Sequence, residues 1–241
     1  MSAALSGGRL QTFVEGLDPR MGGGIPPGSV VLIEGGPGCM KSSLAYSILY
    51  NNALKHAKYG MYMTIEQPRK DIEDHMAGMG LDKRKDKQVD DHLVVVDLGE
   101  LRTFLTQAGE SELDADWFRS VLNQIASFRK EHPLELFVLD SLNGLFALHA
   151  KENPRLELFH FIKELKSYPM TSILISEVLP GHAWAEGTAG FLSDGIIHLE
   201  AKRVEDMVNL QLGVVKMRRT THDHTFFPFI VRKGVFEVVT K

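Results

Sequence analysis

Short apolar runs recur along the chain, and between them apolar residues repeat at helical spacing. Ser29 to Glu34 (SVVLIE) is β-branched and bounded by glycine, which predicts a buried strand. Ser42 to Ala53 (SSLAYSILYNNA) has the periodicity of a helix. Gly60 to Glu66 (GMYMTIE) predicts a second strand, and Pro68 opens a helix at its first position, running to about Gly78. Residues 82–91 (DKRKDKQVDD) read as a charged loop, and Leu93 to Asp97 (LVVVD) as a third strand. Asp114 to Lys130 is an amphipathic helix with Trp117, Val121, Ile125 and Phe128 along one face. Leu136 to Asp140 (LFVLD) is a fourth strand, Pro154 to Ser167 a helix, and Thr171 to Ser176 (TSILIS) a fifth strand. From Gly195 onward, GIIHLEAK, VNLQLGVVKM, TFFPFIV and GVFEVV leave no room for helices and predict a meander. Strands alternating with helices, apolar along their length, imply an α/β fold with a mostly parallel sheet covered on both faces. The late strands extend that sheet antiparallel. No linker or repeat interrupts the pattern, so residues 1–241 are read as one domain.

Composition narrows the function classes. Hydrophobic residues make up 44% and charged residues 24%, which excludes a disordered chain. The net charge is −4, so no overall basic field draws the chain to nucleic acid or acidic lipid. The single cysteine, Cys39, excludes an intrachain disulfide framework and a four-cysteine zinc site. No apolar run reaches the ~20 residues that span a bilayer, and the first residues lack the apolar core of a signal peptide. A soluble, cytoplasmic protein is expected.

The glycines concentrate early, and they point to chemistry. Gly35 to Ser42 reads G-G-P-G-C-M-K-S against the phosphate-loop pattern G-x-x-x-x-G-K-[ST]. In such a loop, backbone N–H groups converge on phosphate oxygens and the following helix adds its positive end. Gly35, Gly36, Pro37, Gly38, Cys39, Met40, Lys41, Ser42 and Ser43 are therefore the candidate nucleotide-binding residues. Lys41 reaches the β- and γ-phosphates, and Ser42 ligates Mg²⁺. The alternative is a glycine-rich turn joining strand to helix. Met40 stands where the pattern has its last glycine. If that position needs positive φ, methionine strains the loop; if it lies in the first helical turn with its side chain turned away, it is harmless. Cys39 is either a variable loop residue or a redox-sensitive thiol at a helix start.

Two strand-end acids complete the candidate site. Asp140 closes an apolar strand downstream of the loop, the position from which a carboxylate holds Mg²⁺ through water, with Ser141 beside it. Glu66, followed by Gln67, falls at the same sheet edge and is placed to deprotonate an attacking water; otherwise it is a solvated carboxylate. Glu177 is a weaker candidate at the same rim. His222 and His224 flank Asp223 without an evident third metal ligand, and Lys83-Arg84-Lys85 is either a solvated loop or a DNA-contacting one.

These motifs together resemble the single-domain KaiC-like ATPases of the RecA/RadA P-loop superfamily. The likeness covers almost the whole chain: Gly16-Leu17-Asp18, the GGGIPPGS lead-in at Gly22 to Ser29, Glu66, Asp140-Ser141, Glu186 to Leu199 (EGTAGFLSDGIIHL), and Lys216-Met217-Arg218-Arg219-Thr220-Thr221-His222 against K-M-R-G-T-x-H. The resemblance implies a RecA-like core and a hexameric ring of identical subunits with ATP between neighbours. It implies Glu66 as the catalytic base, and Lys216 and Arg218 as trans-acting fingers on the next subunit's γ-phosphate. Three positions depart from it: Met40 for glycine, Gln67 for the second acid of a Glu pair, and Arg219 for glycine. The expected function is a slow ATPase, regulatory or signalling, binding ATP or ADP with Mg²⁺ and answering to an unidentified protein partner. The rivals are a nucleotide-responsive scaffold with little turnover and a DNA recombination accessory similar to RadA paralogues. DNA binding is not favoured, and no membrane partner is expected.

Overall fold

A computed structural model describes residues 8–100, 116–148, 153–178 and 188–240. The apolar runs form the nine predicted strands, β2 (Val30–Gly35), β3 (Tyr59–Thr64), β4 (Leu93–Asp97), β5 (Leu134–Asp140), β6 (Thr171–Glu177), β7 (Gly195–Val204), β8 (Met207–Met217), β9 (Phe226–Arg232) and β10 (Val235–Val238), and a short unforeseen strand, β1 (Val14–Glu15), precedes them. They make one ten-stranded sheet in the order β1-β10-β9-β8-β7-β2-β6-β5-β3-β4. From β4 to β7 every pairing is parallel; β7–β8, β8–β9 and β9–β10 are antiparallel, and β1 lies parallel to β10. The antiparallel extension therefore starts one strand later than expected, because β7 pairs with β2 in parallel before the chain reverses.

Helices α1 (Lys41–His56), α2 (Arg69–Gly78) and α3 (Lys87–His92) cover one face, where Leu44, Ile48, Ile72, Met76 and Val89 pack against Val31, Ile33, Val138 and Ile173. Helices α4 (Trp117–Glu131), α5 (Leu142–Leu148) and α6 (Pro154–Leu165) cover the other, with Trp117, Val121, Leu145 and Phe161 against Leu32, Met63 and Leu139. Alternate residues of each strand thus feed opposite cores. Trp117 is fully buried, and truncating such a residue to alanine costs about 3–5 kcal/mol. The short α7 (Thr188–Leu192) leads into β7.

Several local expectations change. Residues 82–91 are not a loop: a 3₁₀ turn (Lys83–Lys85) precedes α3, whose start is capped by the Asp86 carboxylate accepting the Gln88 and Val89 N–H groups. Pro68 is the cap of α2, with extended backbone, rather than its first helical residue. Glu66 lies two residues beyond the end of β3, in the turn, not in the strand. Asp114 and Glu186 fall outside the described residues.

Candidate active site

The site forms at the carboxyl ends of the parallel strands. Gly35 ends β2, and a Cβ there would lie 2.1 Å from the Leu199 carbonyl oxygen, so only glycine lets β2 and β7 stay paired. The loop then turns through Gly38 at φ 74° and reaches Met40 at φ 68°, ψ 23°, immediately before α1. Met40 is thus a left-handed non-glycine residue at the mouth of the helix, a conformation costing roughly 1–2 kcal/mol. Of the two outcomes open in the sequence, the backbone follows the strained one. The side chain nevertheless packs against the α1-side core while lining the cleft, and this contact holds it. Cys39 is buried beneath the loop, which closes its thiol to solvent oxidants.

Lys41 and Ser42 open α1. The largely buried Lys41 ammonium donates to the Gly36 carbonyl at 2.7 Å, spanning the loop it serves. The loop borders a cleft of about 770 Å³ lined by Pro37 to Ser43, Glu66, Asp71, His75, Asp140 and Glu177. Gly35 and Gly36 are not among the lining residues; Gly35 shapes the loop from below. On α2, His75 Nε2 faces Ser43 Oγ at 3.5 Å.

Register brings the acids together. Gly35 pairs with Glu177, and Thr64 with both Asp97 and Asp140, so Glu66, Asp140 and Glu177 share one rim. The buried Thr64 hydroxyl donates to the Gln67 carbonyl at 2.8 Å and accepts its N–H, fixing the turn that presents Glu66. Partial burial, then the nearby Glu177 and Asp140 carboxylates, push the Glu66 carboxyl above the usual glutamate range. Helix α5 supports this rim. Asn143 Oδ1 accepts the Glu177 N–H at 2.8 Å, and the Glu66 side chain lies over Gly144, where a Cβ would sit 2.9 Å from Oε1. Sequence reasoning missed Asn143, Gly144 and His75, because nothing in their spacing marks them.

Lys216 and Arg218 lie elsewhere. Met217 pairs with Gly195, and Gly195 with Val31, four residues before Gly35 and so about 13 Å down β2. Neither cation lines its own chain's cleft. Lys216 Nζ donates to the Gly190 and Ser193 carbonyls at 2.8 and 2.7 Å, and Arg218 to the Phe191 carbonyl at 3.2 Å, also facing Asp194. Burial, then the Arg218 cation, lowers the Lys216 ammonium below its usual value. Arg219, at φ 61°, donates to the Pro27 carbonyl and to Ser29 Oγ. Arg9 ties the same segment to the lead-in, donating to the Met21, Gly24 and Arg219 carbonyls and to Thr220 Oγ1. The His222 and His224 rings lie 4.4 Å apart, tilted by 58°, while Asp223 pairs with Arg20, and Lys83, Arg84 and Lys85 each have a carboxylate partner among Asp74, Asp82 and Asp90.

A phosphate loop on β2 and a strand-end carboxylate on β5, with β6 between them, is the arrangement of a RecA-type P-loop ATPase core. A family model described as the KaiC ATPase matches residues 10–241, and the chain belongs to that family. It is 28% identical to a UPF0273 protein of Pyrococcus furiosus, over 94% of this chain and 92% of that one. It is 26% identical to the circadian clock protein KaiC2 of Synechocystis, over 99% of this chain but 41% of the relative, so it spans about two fifths of that protein's length. The crystal structure of a KaiC-like protein from Pyrococcus horikoshii shares the fold, with a TM-score of 0.78 and 24% identity over 97% of this chain and 99% of that one. Family membership implies nucleotide binding. No helix among the described residues is long and apolar enough to cross a membrane.

Proposed function

We propose that the chain hydrolyses ATP slowly at a site shared between neighbouring copies of itself, arranged in a ring. The observation that carries this reading is the separation of two half-sites. The cleft gathers Lys41, Ser42, Glu66 and Asp140, whereas Lys216 and Arg218 stand at the end of β8, toward the opposite edge of the parallel strands. A cation pair so placed serves a phosphate only on another copy.

The chemistry follows from the parts. Backbone N–H groups of Gly36 and of Gly38 to Ser43, with the Lys41 ammonium, hold the phosphates. Glu66, with its raised proton affinity, takes the proton from the attacking water. The neighbour's Lys216 and Arg218 stabilise the charge that develops on the γ-phosphate. Ser42 and Asp140 supply the oxygen donors that suit Mg²⁺; among the described residues no cluster of three His, Cys, Asp or Glu could hold a metal unaided, which agrees with an ion bound jointly with phosphate. Bound there, Mg²⁺ neutralises phosphate charge.

The test is phosphate release by the wild type, Lys41→Ala, Arg218→Ala and an equimolar mixture of the two variants. Mixing restores part of the lost activity when cleft and cations belong to different copies. Equal rates for wild type and Lys41→Ala would remove the ATPase reading. A mixture no more active than its two components would remove the shared site. A second reading, a nucleotide-responsive scaffold with little turnover, is favoured by Gln67 and by the left-handed Met40; calorimetry showing MgATP binding without phosphate release selects it. The paired state of Lys83, Arg84 and Lys85 weighs against DNA contact.

A further inference from the structure

Two buried tyrosines lie beneath the cleft, Tyr46 on α1 and Tyr62 on β3, with their rings edge-on at 5.6 Å. They differ in what their hydroxyls do. Among the described residues, Tyr46 Oη has no hydrogen-bond partner. Tyr62 Oη donates to Asp140 Oδ2, close to the Ser42 hydroxyl. The register explains the reach: Tyr62 pairs with Val138, so its long side chain extends along β5 to the carboxylate two residues further on. Tyr62 thus bonds one of the two residues that the proposed function assigns to Mg²⁺ and lies near the other.

A carboxylate at a strand end can rotate about its last torsion, and its metal affinity depends on which oxygen it presents. The phenol engages one oxygen from below. Oδ1 is left for the cleft.

We propose that Tyr62 is a positioning residue for the metal site, its hydroxyl holding Asp140 in line with Ser42 so that a magnesium nucleotide meets an aligned pair. This rests on the Mg²⁺ reading of the site.

The experiment is calorimetric titration of ADP, with Mg²⁺ and with chelator, into the wild type, Tyr62→Phe and Tyr46→Phe. In Tyr62→Phe the gain in affinity that Mg²⁺ brings falls about tenfold or more, the usual consequence of losing a group that orients a metal ligand. Affinity in chelator stays within about twofold, which a merely structural defect would not spare. Tyr46→Phe keeps both values. An undiminished Mg²⁺ gain in Tyr62→Phe overturns the role of Tyr62 alone; no Mg²⁺ gain in the wild type overturns the metal reading and this inference with it. A wild-type chain carrying 3-fluorotyrosine at its five tyrosines gives a second readout that needs no substitution. A fluorine resonance moves when Mg²⁺ joins the ADP complex, and stillness of all five overturns the proposal.

Discussion

Met40 in the phosphate loop and Arg219 beyond the cation pair solve one backbone problem in two ways. Each stands where the family pattern has glycine, and each keeps the left-handed backbone that glycine takes freely, at φ 68° and 61°. Met40 is held by apolar packing against the α1-side core. The exposed Arg219 is held by hydrogen bonds to Pro27 and Ser29, with its own carbonyl taken by Arg9. Apolar burial has no competing solvent partner, so the cradle is fixed. Exposed hydrogen bonds exchange with water, so the cation edge can adjust. Under the proposed shared site, the phosphate loop needs the first property and the edge that would meet a neighbouring copy the second.

The largest effects should separate the two regions outright. Arg218→Ala lowers turnover on the order of 10³-fold while leaving nucleotide affinity within about threefold, whereas Lys41→Ala abolishes turnover by losing affinity about 100-fold or more. Steady-state kinetics with calorimetry distinguishes them, and equal losses of affinity in both variants would erase the division. Next, Gly144→Ala pushes the Glu66 carboxylate out of place and reduces turnover about tenfold, with nucleotide affinity unchanged. A change in affinity instead would mean that Gly144 supports the loop rather than the base. The pH profile comes third. Glu66 acts in its deprotonated form, and its proton affinity is raised, so turnover falls with decreasing pH at values above the usual glutamate range. Glu177→Gln removes one of the causes and moves that acid limb downward. The smallest effect tests the comparison itself. Met40→Ala loses the packing but keeps the strain, and Met40→Gly loses both, so urea denaturation should place the alanine variant about 1 kcal/mol below the glycine variant. At residue 219 the same pair should differ by a similar amount, while Arg219→Gly stays within about 0.5 kcal/mol of wild type because relief of the left-handed strain offsets the exposed hydrogen bonds that are lost.

The fold was largely legible because strand signals here are long and apolar. SVVLIE and LFVLD read as buried strands, and their terminal residues pointed to the phosphate loop and to Asp140. Elements with little apolar content escaped: α3 buries only Val89, and β1 has just two residues, paired through β10 from the far end of the chain. In the site, residue types were readable and their supports were not. Asp140 declares itself at a strand end and Glu66 just past one, but the phenol under Asp140 and the α5 glycine under Glu66 depend on contacts between elements distant in sequence. The conformation of Met40 needed coordinates as well, since side-chain packing outweighed the local preference for glycine.

The Arg9 guanidinium carries a consequence for inheritance. It donates to the Met21 and Gly24 carbonyls and to two oxygens at residues 219–220, so one guanidinium supplies the donors for both segments. Neither segment is free to drift alone: losing Arg9 strands acceptors in both, and remodelling 219–220 leaves the guanidinium half used. A chimera that imports the cation segment from a relative should keep its shape only when residues 8–29 travel with it.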